Sequence, residues 1–147
     1  MTIHKQDFYE GAALQLLVRG GGVQAIRYEK PFYIVNDVVT VYLKYSTKGR
    51  SPWGFTFGPR EHALLSERSL HGDLVLGLVC GHDGVACIDV AAYHDLSSDS
   101  ERSFRISCSR KHGQHYSVAG PAGVLLHKVS PSLWQRFFLG GVANEAL

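Results

Sequence analysis

The sequence predicts an α/β (α+β) domain with a mixed central sheet flanked by helices. Three observations point there. An amphipathic helical segment opens the chain, strand-like runs follow with a second helical segment between them, and Asp83-Gly84 separates two apolar runs as a hairpin turn would. A chain of 147 residues is the size of one domain, so 1–147 is read as a single unit, with a core over about 7–90 and a hairpin-rich tail over 91–147.

The elements follow in order. From Asp7 to about Arg19, Phe8, Ala12 and Leu16, with Ala13 and Leu17, recur at helical spacing, and the glycines at 20–22 stop the helix. Two short β-like runs come next, interrupted by Pro31, and Asn36-Asp37 offers a turn into a third strand. In that strand Val39, Val41, Leu43 and Tyr45 share one face, which sends Lys44 to the other face beside Tyr42, away from the apolar side. After the loop at 48–59, a helix is expected that could start near Pro59, a residue tolerated in a first helical turn. The run Asp73 to Cys80 is almost wholly apolar and short, as suits a strand buried on both faces. A soluble spacer over 93–103, a hairpin over 104–120 and a short C-terminal helix capped near Ser130 or Ser132 complete the reading.

Composition narrows the function. Apolar content of 45% and charged content of 19% suit a globular protein, and no run approaches the roughly 20 apolar residues of a membrane span, so no membrane partner is expected. The N-terminus carries no apolar signal core, which points to a cytoplasmic protein. Its three cysteines, Cys80, Cys87 and Cys108, are then expected to stay reduced. The net charge of +2 is uneven: residues 1–60 hold eight Lys/Arg against four Asp/Glu, which fits an anionic partner for that half and equally a solvated basic face with none.

Much of that charge lies in the stretch from Val39 to Arg60, where Lys44, Lys48, Arg50 and Arg60 interleave with Tyr45, Trp53, Phe55 and Phe57 and no acid intervenes. Cations release counterions from phosphates and exposed aromatics stack on bases, so the stretch suits nucleic acid, with Lys48 and Arg50 as phosphate contacts. The alternation of Trp53, Phe55 and Phe57 also fits a strand burying one face, and burial is the favoured reading for these rings. Arg110, Lys111 and His112 are expected to top a hairpin and extend the basic surface. Cys108, His112 and His115, and likewise Cys80, His82 and Cys87, lack the spacing of a zinc site, and buried thiols are the simpler outcome.

Glu10 on the first helix, Asp37 at a strand turn and Lys44 on the next strand form an acid and lysine set of the kind that holds a hard cation beside a scissile phosphate. With the helix and buried strand that follow, this arrangement resembles the restriction-endonuclease-like PD-(D/E)XK core, and "YLKYSTKGRSPWGFTF" with "LVCGHDGVACI" resembles a small bacterial group assigned to that fold. The resemblance implies a metal-dependent nuclease acting on nucleic acid, DNA foremost. Asp37 and Glu10 would hold Mg²⁺ or Mn²⁺, Lys44 would orient the attacking water, and no organic cofactor is implied. It also implies pairing of two chains, a homodimer, for cutting both strands. The family places an acid two residues before the lysine, whereas Tyr42 stands there in this chain. That departure motivates the alternative of a catalytically inactive module of the same fold that binds nucleic acid or assembles with protein, the latter through the aromatic loop and the segment 132–142.

Overall fold

The computed structural model describes residues 1–98 and 101–139. Helix α1 spans Lys5–Gly20, strands β1 Ile26–Glu29, β2 Phe32–Val35, β3 Val39–Ser46 and β4 Trp53–Phe57 follow, and α2 spans Pro59–Arg68. A short 3-10 turn leads to β5 Asp73–Cys80 and β6 Gly84–Asp89, then α3 Val90–Leu96, β7 Phe104–Ser109, β8 Ser117–Gly120, β9 Gly123–Val124 and α4 Leu133–Arg136. The architecture is mixed α+β in a single domain, with one feature that the sequence reading lacked. There are two sheets, a mixed five-stranded one in the order β1-β2-β3-β5-β6 and an antiparallel four-stranded one in the order β4-β7-β8-β9.

The large sheet grows from the expected signals. Asn36 and Asp37 both take positive φ, 56° and 55°, which short polar side chains tolerate, and their turn joins antiparallel β2 and β3. Strand β5 returns parallel to β3 after the crossover through β4 and α2, pairing Val39 with Asp73 through to Ser46 with Cys80. Strand β5 is buried along nearly its whole length, as its apolar run requires. On one face of this sheet α1 and the C-terminal segment pack Ala13, Leu17, Trp134, Phe137 and Phe138 over Val41, Leu43 and Val75.

Tyr42 and Lys44 lie on the face opposite Val41 and Leu43, as the alternation predicts, and that face is covered too. Strand β4 and the tail strands form the small sheet, whose inner residues Trp53, Phe55, Phe57, Ile106 and Cys108 join Tyr42, Leu76 and Leu78 in a second core. The loop expected at 48–59 contains β4, and Trp53, Phe55 and Phe57 bury one face of it, as their alternation predicts. The expected spacer holds α3, which Asp89 caps by accepting a 2.8 Å bond from the Ala92 amide. Residues 99–100 of that spacer and 140–142 of the C-terminal segment lie outside the described residues.

The glycines after α1 do more than end it. A Cβ on Gly20 would fall 1.5 Å from the Gln135 carbonyl oxygen, and one on Gly22 would fall equally close to that of Phe138. Their bareness lets the C-terminal segment seat its backbone on the end of α1. Trp134 completes the seat, donating its indole N–H to the Ala13 carbonyl at 2.9 Å. Trp134, Phe137 and Phe138 of the segment 132–142 are buried in the core, while Leu139 is exposed.

Candidate nucleic-acid interface

Lys44 sits among partners. Its ammonium donates to Glu61 Oε2 at 2.8 Å and to the Thr56 carbonyl at 2.7 Å, and lies 4.6 Å from the centre of the Phe57 ring. The Tyr42 hydroxyl donates to the same Glu61 oxygen. Burial first, then this bond and the Glu61 charge, push the Tyr42 hydroxyl well above its ordinary pKa and keep it a donor. Glu61 Oε1 accepts from the Gly58 amide at the start of α2. One carboxylate thus caps a helix and binds the strand lysine. Sequence reading passed over Glu61, although an acid in the first turn just after Gly58-Pro59 signals a capping role.

Glu10 is nearly buried, with its two oxygens accepting from Tyr33 at 3.0 Å and Gln6 at 2.6 Å. Strand β2 pairs with β3 only as far as Val41, so the edge of β3 is open beyond that point. There a cavity of about 170 Å³ is lined by Glu10 and Lys44 together with Tyr42 and Tyr45. Asp37 is elsewhere. It is exposed in the turn before β3 and bonded to Arg27 at 2.9 Å. From Val39 to Lys44 the strand advances about 17 Å at an extended rise, so the turn and the lysine mark opposite ends of β3. The structure brings Glu10 to Lys44 and leaves Asp37 apart, and the pair Glu10 and Asp37 does not fit a single shared cation. Among the described residues no three His, Cys, Asp or Glu side chains converge in a way that would hold a metal.

The predicted phosphate contacts do converge. The β4–β7 register sets Trp53 opposite Cys108, which carries the loop before β4 alongside the end of β7. Ser51 Oγ accepts from the Arg110 amide at 3.0 Å, and the Trp53 indole donates to the Lys48 carbonyl at 2.9 Å. Exposed Lys48 and Arg50 are thereby held next to the hairpin tip that bears Arg110 and Lys111. Arg110 is fixed in turn: Nη1 donates to Asp83 at 2.9 Å and Nε to the Gln114 carbonyl at 2.6 Å. The Asp83 bond raises the Arg110 pKa further, and Tyr116 donates to the same carboxylate oxygen at 2.6 Å.

Two further cations join this face. Phe104, Ile106 and Cys108 point inward, so Arg105, Ser107 and Ser109 point outward. Arg105 lies across Gly54, where a Cβ would meet its guanidinium at 2.1 Å. The pair Tyr116 and Val129 exchanges backbone bonds of 2.8 Å, which sets Lys128 beside Ser117. A sequence signal for both was present. Residues 102–144 contain six Lys/Arg and no Asp/Glu, a basic tract that a division at residue 60 merges with the acids of 61–101.

No family model, curated protein or solved structure matches this chain. The site stands on its own geometry. Among the described residues, the outer side of the small sheet carries Gly54, Ser107, Ser109 and Ser117, with Arg105 lying across Gly54 and with Lys111 and Lys128 near its end. The thiols take no part: Cys80, Cys87 and Cys108 are buried and unlinked, and burial pushes the Cys87 thiol above its ordinary pKa. No described helix is long and apolar enough to cross a membrane.

Proposed function

We propose that this chain binds nucleic acid, without cutting it, through the outer face of the small sheet and the loop at 47–52. The observation that carries the reading is the Ser51–Arg110 contact. It joins two basic segments far apart in sequence, and with Arg105 and Lys128 they line one side of the molecule. Phosphate oxygens are hydrogen-bond acceptors that suit this mixture of cations, hydroxyls and amides. The inward turn of Trp53, Phe55 and Phe57 favours backbone contact over base stacking on those rings. The order of α1, the β2–β3 pair, α2 and parallel β5 supports a restriction-endonuclease-like core beneath this surface. In the non-cutting reading Lys44 is a structural cation, bound by Glu61 and the Thr56 carbonyl.

A filter-binding or anisotropy titration with labelled single- and double-stranded DNA and RNA tests the reading. Binding that weakens steeply with salt supports it, and salt-independent or absent binding removes it. Cleavage with Mg²⁺ or Mn²⁺, by a pair of chains on DNA, is the second reading. One observation favours it, the placing of Glu10 and Lys44 on a common cavity. Cutting of any of these substrates that EDTA stops and Lys44→Ala abolishes would establish it in place of the first.

A further inference from the structure

Resting on the nucleic-acid reading, we infer that the cavity at the hairpin tip takes the terminal phosphate of a strand, so that the chain prefers end-phosphorylated nucleic acid. The cavity holds about 240 Å³ and draws its walls from four chain segments: Ser51 before β4, Ser109 and Arg110 at the end of β7, Ser117 on β8, and Lys128. Lys111 closes its rim. This is a half-open concavity walled from several segments at the end of the small sheet. A phosphate inside a strand carries one charge and leaves the pocket on both sides along the backbone. A terminal phosphomonoester carries nearly two charges at neutral pH and three free oxygens, and the chain leaves it in one direction only.

The lining matches the terminal group. Lys111 and Lys128, both exposed, supply two positive charges to the lining. The Asp83 charge is answered by Arg110, which donates to it through Nη1 and to the Gln114 carbonyl through Nε. Ser51, Ser109 and Ser117 on the same lining offer hydroxyls to phosphate oxygens. The walls are also held in place, because the Ser51–Arg110 bond, the Asp83–Arg110–Tyr116 set and the Tyr116–Val129 bridge cross-tie all the contributing segments.

The experiment compares one fluorescent oligonucleotide sequence in three forms, with a 5′ phosphate, with a 3′ phosphate and with hydroxyls at both ends, in fixed salt. One phosphorylated form is expected to bind about ten-fold tighter than the unphosphorylated strand, the scale of one or two charge-assisted hydrogen bonds. Which end is preferred assigns the strand polarity. In Lys111→Gln/Lys128→Gln the preference should vanish while the thermal unfolding midpoint stays put, since both side chains are exposed. Equal affinity for all three forms overturns the inference and leaves the nucleic-acid reading intact. Failure of every form to bind overturns both. Titration with inorganic phosphate gives a second readout: it should compete for the phosphorylated strand at concentrations that leave the unphosphorylated one bound, and equal competition against both speaks against the pocket.

Discussion

Removing the Glu61 carboxylate by Glu61→Ala would leave the Lys44 ammonium and the Tyr42 hydroxyl in a half-buried site without their shared acceptor, and would uncap α2. Urea unfolding should report a loss of about 1–3 kcal/mol, the range for stranding buried polar groups. Asp37→Asn is the contrasting case. It keeps a residue that tolerates positive φ and loses only an exposed ion pair with Arg27, so stability should change by less than about 0.5 kcal/mol. If the two substitutions cost the same, the assignment of Glu61 as the anchor of Lys44 is wrong. Tyr42 is part of the same local logic. Where the resembled family has an acid, this chain has a phenol whose raised pKa keeps it a donor, and the acceptor comes from α2 instead.

At the scale of elements, the seat of the C-terminal segment on α1 makes a separate prediction. Trp134→Ala should cost about 3–5 kcal/mol, as truncation of a fully buried ring does. Gly77→Ala should cost about 1–3 kcal/mol, because its Cβ would press on Leu43 and Trp134 at 2.8 Å. Thermal unfolding followed by circular dichroism measures both, and a neutral Trp134→Ala would contradict the packing. Much of this scale was readable from residues in order. The Val39–Ser46 alternation, the apolar run of β5, the Asp83-Gly84 turn and Pro59 at the head of α2 each act locally, and each element formed where its signal stood. What stayed hidden was non-local. The partner of β4 is β7, and Trp53 to Cys108 is a separation that no spacing in the sequence records, so the burial of the β4 rings is legible locally while the sheet they join is not. The same cause divided the site. Lys48, Arg50, Arg110 and Lys111 were visible as charges, but their adjacency needed the β4–β7 register, and Glu61 needed the crossover that carries α2 over β3.

At the scale of the whole molecule, charge is distributed by segment. The acids of 61–101 and the basic tract of 102–144 are consecutive in sequence, and folding adds the cations of the 47–52 loop to the second. The outer face of the small sheet is therefore where the proposed nucleic-acid contact would be made, while Lys44 is bound by Glu61 and the Thr56 carbonyl. The most direct measurement is the salt dependence of affinity for a 5′-phosphorylated single strand, comparing the unaltered chain with Arg105→Gln/Lys111→Gln/Lys128→Gln. The unaltered chain should lose affinity linearly in log–log form, and the triple variant should have a slope shallower by about 2, since each lost phosphate contact removes roughly 0.7 on single strands. Identical slopes for the two proteins, or no binding at low salt, would contradict the assignment of this face.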